Sequence, residues 1–157
     1  MNKYNKPDII ESKMGKNPFI ASLVIPVTKS IIPNTFKQEE GIWVSATTEY
    51  EKTPFVKLYR SKERRLIKAG LSGSALKLLE WIRDVIPHGQ DYLWINKIMF
   101  MEETGMSLNT YKKAIEELCM TCILNKVVKY DCYWINPDFF FFGSRVNKFP
   151  SNVVKVE

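Results

Sequence analysis

The chain has 157 residues, with 23 basic and 17 acidic side chains, 45% hydrophobic residues and a formal net charge of +6. That is ordinary globular sequence for one domain, long enough to bury a core without disulfide staples. Three cysteines are too few for a disulfide scaffold and suit a reducing cytoplasm. No apolar run approaches the length that spans a bilayer, and Phe19 to Val27, short and broken by Pro26, does not read as a signal peptide.

Composition also limits the chemistry. His88 is the only histidine, so a nickase that holds its metal with a histidine pair is excluded. There is no GxxxxGK[ST] run for a nucleoside triphosphate. A Ser-His-Asp triad would have to use His88, which stands in the turn-like Pro87-His88-Gly89. Cys119 and Cys122 form a CxxC, but the pair falls inside a predicted helix and its fourth ligand would be the distant His88. Free buried thiols are the simpler reading. The sequence predicts no enzyme, no cofactor and no metal.

The positive charge is unevenly placed. Residues 1–43 carry six basic and four acidic groups and residues 44–71 carry seven and three, whereas 72–130 and 131–157 are each balanced. The excess is densest at Arg60, Lys62, Arg64, Arg65 and Lys68. Such a cluster attracts a polyanion by counterion release.

Along the chain, residues 1–40 read as an extended arm broken by Pro7, Pro18, Pro26 and Pro33, in which Phe19 to Val27 can dock on the core as one strand. Residues 41–149 read as the folded domain and 150–157 as a tail. Ile42-Trp43-Val44 and Phe55 to Tyr59 are predicted to form an N-terminal β-hairpin turning at Glu51 to Pro54. Ser72 or Ser74 caps a helix whose stripe is Ala75, Leu78, Leu79, Ile82 and Ile86, stopped by Pro87 and Gly89. A short strand, Tyr92 to Ile95, follows. Asn96 caps a second helix, Lys97 to Glu103, which ends at Gly105, and Ser107 caps a third. The apolar face of the third is Tyr111, Ile115, Leu118 and Cys122. Val127 to Tyr130 and Cys132 to Ile135 are predicted to close a hairpin near Asp131.

Helix, strand, helix, tight turn, helix, hairpin is the order of an α+β winged helix-turn-helix. In that arrangement the third helix enters the major groove of duplex DNA and its first residues meet base edges and phosphate. Those residues are Ser107, Asn109, Thr110, Lys112 and Lys113. Asn can pair with adenine, Lys can reach guanine acceptors, and hydroxyls suit phosphate. The Thr110 side chain can instead turn to the core. The basic run 57–68 leads into the first helix and can track the backbone, with Lys126 and Lys129 at the start of the wing. Against this, Glu116 and Glu117 follow on the same side and repel phosphate. The aromatic run from Tyr133 to Phe142 admits base stacking or core packing, and packing is the better fit for residues of this kind.

Tyr133-Trp134-Ile135-Asn136-Pro137 followed by Phe141-Phe142-Gly143-Ser144-Arg145-Val146 resembles the RepL-type plasmid and phage replication proteins, in which a wing strand runs into such segments. The upstream Phe55 to Tyr59 is similar to the strand before that family's first helix. The resemblance covers about residues 54–149. It departs from the family in its longer phenylalanine run and in Ser144, where an acidic residue is expected. The resemblance implies a replication initiator that binds duplex origin DNA, recruits host replication proteins and does no catalysis. It also implies that Gly143 makes a backbone turn and that Arg145 meets a carboxylate or a phosphate. A homodimer would lengthen the short site that one winged helix reads. Two other functions fit the same fold: a transcriptional regulator of a phage or plasmid, and a phage structural or adaptor protein that uses the phenylalanines and the arm as contacts.

Overall fold

A computed structural model describes residues 8–27, 36–39, 42–45, 57–58, 70–128 and 130–155, the backbone alone for 36–39, 42–45 and 57–58. The architecture is α+β. Helix α1 (Gly73–Val85) begins where Ser72 Oγ accepts from the Ala75 amide at 3.2 Å, and Pro87 lies just past its end. Its stripe of Ala75, Leu78, Leu79 and Ile82 is buried, as the spacing predicts. Each such Leu or Ile contributes roughly 1.5–3 kcal/mol by leaving water. Strand β5 (Tyr92–Trp94) follows, then α2 (Lys97–Thr104), capped by Asn96 Oδ1 on the Met99 amide at 3.1 Å. Helix α3 (Leu108–Met120) packs chiefly on α1, and the strands β6 (Leu124–Lys126) and β7 (Cys132–Ile135) come next. The three strands form one antiparallel sheet in the order β5-β7-β6, with Tyr92 opposite Trp134 and Leu124 opposite Ile135.

This sheet is covered on both faces. Leu93, Tyr133 and Ile135 face the helices, in a core with Leu78, Ile82, Phe100 and Leu118. Tyr92, Cys132 and Trp134 point the other way and pack under Met14, with Ile9 and Phe19 at the margin. Residues 8–27 therefore form a layer on the outer face, not a free arm. They carry two short 3-10 turns, Glu11–Lys13 and Pro18–Ser22, and then β1 (Ile25–Val27). Strand β1 pairs in parallel with β9 (Val153–Lys155), so the expected docked strand forms over its last three residues and its partner is the C-terminal segment.

Two expected pairings differ. Strand β3 (Ile42–Ser45) pairs not with the strand near residue 57 but with β2 (Phe36–Glu39), in antiparallel register. Strand β4 (Lys57–Leu58) pairs with β8 (Phe140–Phe141), inside the phenylalanine run. The predicted turn at residues 51–54 lies outside the described residues.

The second hairpin is also shifted. Its first strand is 124–126, not 127–130, because α3 stops at Met120. Cys122 takes a left-handed backbone with φ 58°, the Ile123 amide donates to Leu118 O at 3.0 Å, and the Cys122 amide donates to Cys119 O at 3.1 Å. This is a Schellman exit. It takes Cys122 off the apolar stripe and exposes it, while Cys132 is buried and Cys119 half-buried. No group of three or more metal-ligating side chains occurs among the described residues.

Candidate nucleic-acid interface

The turn between α2 and α3 is built by local chemistry. Gly105, at φ 70°, closes α2 in the left-handed region and donates its amide to Met101 O at 2.9 Å. The Thr104 hydroxyl donates to Phe100 O at 2.7 Å and accepts from the Met106 amide at 3.3 Å. Ser107 Oγ then accepts from the Thr110 amide at 3.2 Å and starts α3. Phe100, fully buried, locks the pair of helices: its ring lies 5.7 Å from Tyr111 and 5.4 Å from Trp81. Trp81 in turn donates Nε1–H to Glu103 at 2.6 Å.

Tyr111, Ala114 and Leu118 hold α3 in the core, which turns Asn109, Lys112 and Lys113 to solvent on one exposed face. Neither lysine meets a carboxylate among the described residues. Ser107 and Thr110 have a different position. Their hydroxyls lie 2.8 Å apart, so both are engaged in the cap, and Thr110 is half-buried. Glu116 is exposed one turn after the lysines. Glu117 points away from them: its carboxylate accepts the Ser72 amide at 2.9 Å, and hydrogen bonds from Ser72 hold its pKa below the ordinary carboxylate range. Sequence reading groups the two glutamates as repulsive, but Glu117 braces α3 against the start of α1. Its position three residues after Ala114 on the flank of the apolar stripe was the available signal.

Lys126 ends β6 and is exposed. Beyond it, Val127 is buried under the arm with its amide on Cys132 O at 3.0 Å, and Val128 stands 96% exposed at the hairpin tip. Val128 was not singled out by sequence; its signal was the second of two valines between Lys126 and Lys129, where alternation sends one in and the next out. Arg60, Lys62, Arg64, Arg65, Lys68 and Lys129 lie outside the described residues.

The aromatic run packs. Tyr133, Trp134, Phe139, Phe140 and Phe141 are all buried, divided among three apolar clusters, and offer no platform for bases. His88 sits in its turn with its ring against Phe142. Asn136 is a keystone: its Nδ2 donates to Cys122 O at 2.8 Å, its Oδ1 accepts the Asp138 amide at 3.0 Å, and its amide donates to Ile123 O at 3.0 Å. Arg145 donates to Pro137 O at 2.9 Å and lies 3.9 Å from the Asp138 carboxylate, and Gly143 turns at φ 127°. Asn136, Pro137 and Arg145 thus hold the fold together, while Ser144 is exposed and caps the turn at 145–148.

A family model described as Firmicute plasmid replication protein (RepL) matches residues 46–153. A curated relative, the "20.9 kDa protein" of Zymomonas mobilis, is 27% identical over 85% of this chain and 84% of its own length. No solved structure matches the chain. No helix among the described residues is long and apolar enough to cross a membrane.

Proposed function

The chain belongs to the RepL family of Firmicute plasmid replication proteins, and from that premise we propose that it binds duplex origin DNA through a winged helix and recruits host replication proteins there. The observation that carries this reading is the capped turn at Gly105 and Ser107, which leaves Asn109, Lys112 and Lys113 of α3 exposed together. The element order and the β5-β7-β6 sheet support the winged-helix reading, in which α3 lies in the major groove and the β6–β7 hairpin is the wing. Asn109 reads a base edge, Lys112 and Lys113 reach guanine acceptors or phosphate, and the Ser107 and Thr110 hydroxyls fix the helix start against the backbone. Lys126, Lys129 and Val128 meet the adjoining groove. Arg60, Lys62, Arg64, Arg65 and Lys68 hold phosphate beside α1. A second copy doubles the length of the site.

The test is titration of a duplex carrying the protein's own coding sequence, against a scrambled duplex, across a salt series. Lys112→Glu with Lys113→Glu abolishes preference for the cognate duplex. Neutral Lys→Ala changes lower the salt slope by roughly 0.9 per lost phosphate contact. Asn109→Ala costs about 1–3 kcal/mol of discrimination at one base pair. Unchanged affinity after charge reversal refutes the assignment of α3. Cognate binding without support of plasmid replication in cells identifies a regulator instead of an initiator.

A further inference from the structure

The hairpin that follows α3 presents an apolar tip on a fixed base. Val127 is buried with Met14, Tyr92, Cys132 and Trp134, and its amide donates to Cys132 O at 3.0 Å. Tyr130 packs at the margin of the same cluster, and its hydroxyl accepts the Ile10 amide at 3.3 Å. Both ends of the tip are thus anchored against the layer 8–27. Val128 lies between them and is 96% exposed, the most exposed large apolar side chain among the described residues. Its neighbours are held in place, so the tip does not fold back to take Val128 out of water.

The surroundings argue for DNA as its cover. Lys126, exposed, precedes the tip, and Lys129 follows Val128 in the sequence; Asp131 is the one acidic residue of 126–131. One valine flanked by lysines falls short of the contiguous apolar area of a protein interface. It suits a groove walled by phosphates, where cations meet the walls and an apolar group meets the floor. With α3 in the major groove, the adjoining minor groove lies about half a helical turn, roughly 17 Å, along the duplex. The chain from Leu124 to Val128 can span that distance at about 3.4 Å per residue. That groove is about 6 Å wide, which excludes a helix and admits a hairpin tip.

We propose that Val128 enters the minor groove beside the α3 site and selects base pairs there that lack the 2-amino group of guanine. The inference rests on the reading of this chain as a duplex-binding protein, and it adds a specificity determinant outside α3. A·T and T·A pairs present only acceptors in the minor groove, whereas G·C adds the guanine N2 donor. A valine methyl set against that amino group takes it out of water and offers it no acceptor. Over an A·T pair the same methyls meet no donor. The narrow groove of an A·T run also concentrates negative potential, which favours Lys126 and Lys129 beside it.

The experiment uses base analogues that alter the minor groove alone. The full chain is titrated with three duplexes of its own coding sequence. One is natural; one has every guanine replaced by inosine, which lacks the 2-amino group; one has every adenine replaced by 2,6-diaminopurine, which gains it. Both analogues keep the major-groove donors and acceptors that α3 would read. The diaminopurine duplex is expected to bind about tenfold more weakly than the natural one, and the inosine duplex no more weakly. Val128→Ser, whose hydroxyl accepts from an amino group, is expected to bind the natural and diaminopurine duplexes equally. At a position this exposed it should leave the melting temperature unchanged. Equal binding of the natural and diaminopurine duplexes by the wild-type chain overturns the proposal. So does discrimination that survives Val128→Ser, which is the mark of a groove width read elsewhere. In both cases, binding lost in Lys112→Glu with Lys113→Glu keeps the α3 reading. Discrimination carried by Val128, with binding untouched by those charge reversals, keeps the wing and removes α3. A wild-type chain that binds none of the duplexes overturns both.

Discussion

Cys122 stands at the one non-glycine position among the described residues with a left-handed backbone. A side chain with a Cβ resists that conformation by about 1 kcal/mol, and glycine does not. Its amide bond to Cys119 O and its carbonyl, which accepts from Asn136, are backbone interactions that glycine retains, as is the neighbouring bond from the Ile123 amide to Leu118 O. Cys122→Gly is therefore expected to stabilise the protein by about 0.5–1 kcal/mol, offset in part by the greater freedom of glycine in the unfolded chain. A urea midpoint that rises with an unchanged slope is the measurement; a lower midpoint shows that the thiol makes a contact worth more than the strain. The same residue explains an illegible helix end. Between Cys119 and Leu124 there is no glycine, proline or asparagine to mark a stop, so the apolar period runs on to Cys122 in the sequence while the helix does not.

At the scale of elements, the exit from α3 is fastened to the end of β7 by Asn136. This buried side chain satisfies the Cys122 carbonyl and the Asp138 amide. Asn136→Ala removes a partner from each of these backbone groups in a part-buried turn, which costs about 1–3 kcal/mol. Thermal unfolding should show the loss, and hydrogen exchange should speed up first at residues 121–124, where α3 gives way to β6. Wild-type exchange there would mean that water replaces the side chain. Elements with a local signal were legible in the sequence: the serine and asparagine caps of α1, α2 and α3, the Gly105 stop, and the buried stripe of α1 all stand where spacing and turn chemistry put them. Pairings that depend on distant segments were not. Nothing local says that β4 takes its partner from Phe140-Phe141 or that β1 takes Val153–Lys155. The Asn-Pro motif was visible as a family mark, but its role in closing a helix exit 14 residues earlier was not.

Among the described residues, helices α1–α3, the three-stranded sheet and the segment 8–27 stack as three layers. Strand β7 lies in the middle, with all four residues Cys132, Tyr133, Trp134 and Ile135 buried, which is why it shows no polar alternation to reveal a second covering layer. The lysines of α3 were legible as a candidate interface because exposed charge opposite an apolar stripe is local; the cover of residues 8–27 on the sheet was not, because it joins segments more than 70 residues apart. Among the polar side chains that tie the outer layer to the sheet, Asn17 makes the most bonds. Asn17 is buried; its Nδ2 donates to Asp91 Oδ2 and to Ile135 O, both at 3.0 Å, and its Oδ1 accepts the Phe19 amide at 3.0 Å. Without it the Asp91 carboxylate is left at the interface with no donor from the arm, and the Ile135 carbonyl loses a partner. Asn17→Ala is thus expected to cost about 2–4 kcal/mol and to act mainly by freeing the arm. Limited proteolysis distinguishes this from general destabilisation. Cleavage within residues 8–27 should become faster than cleavage in α1 or α3, and Trp134 should become accessible to an aqueous quencher as its cover lifts. If the arm and the helices instead become susceptible together, the three layers unfold as one unit, and the arm is part of the core rather than a covering that lifts by itself.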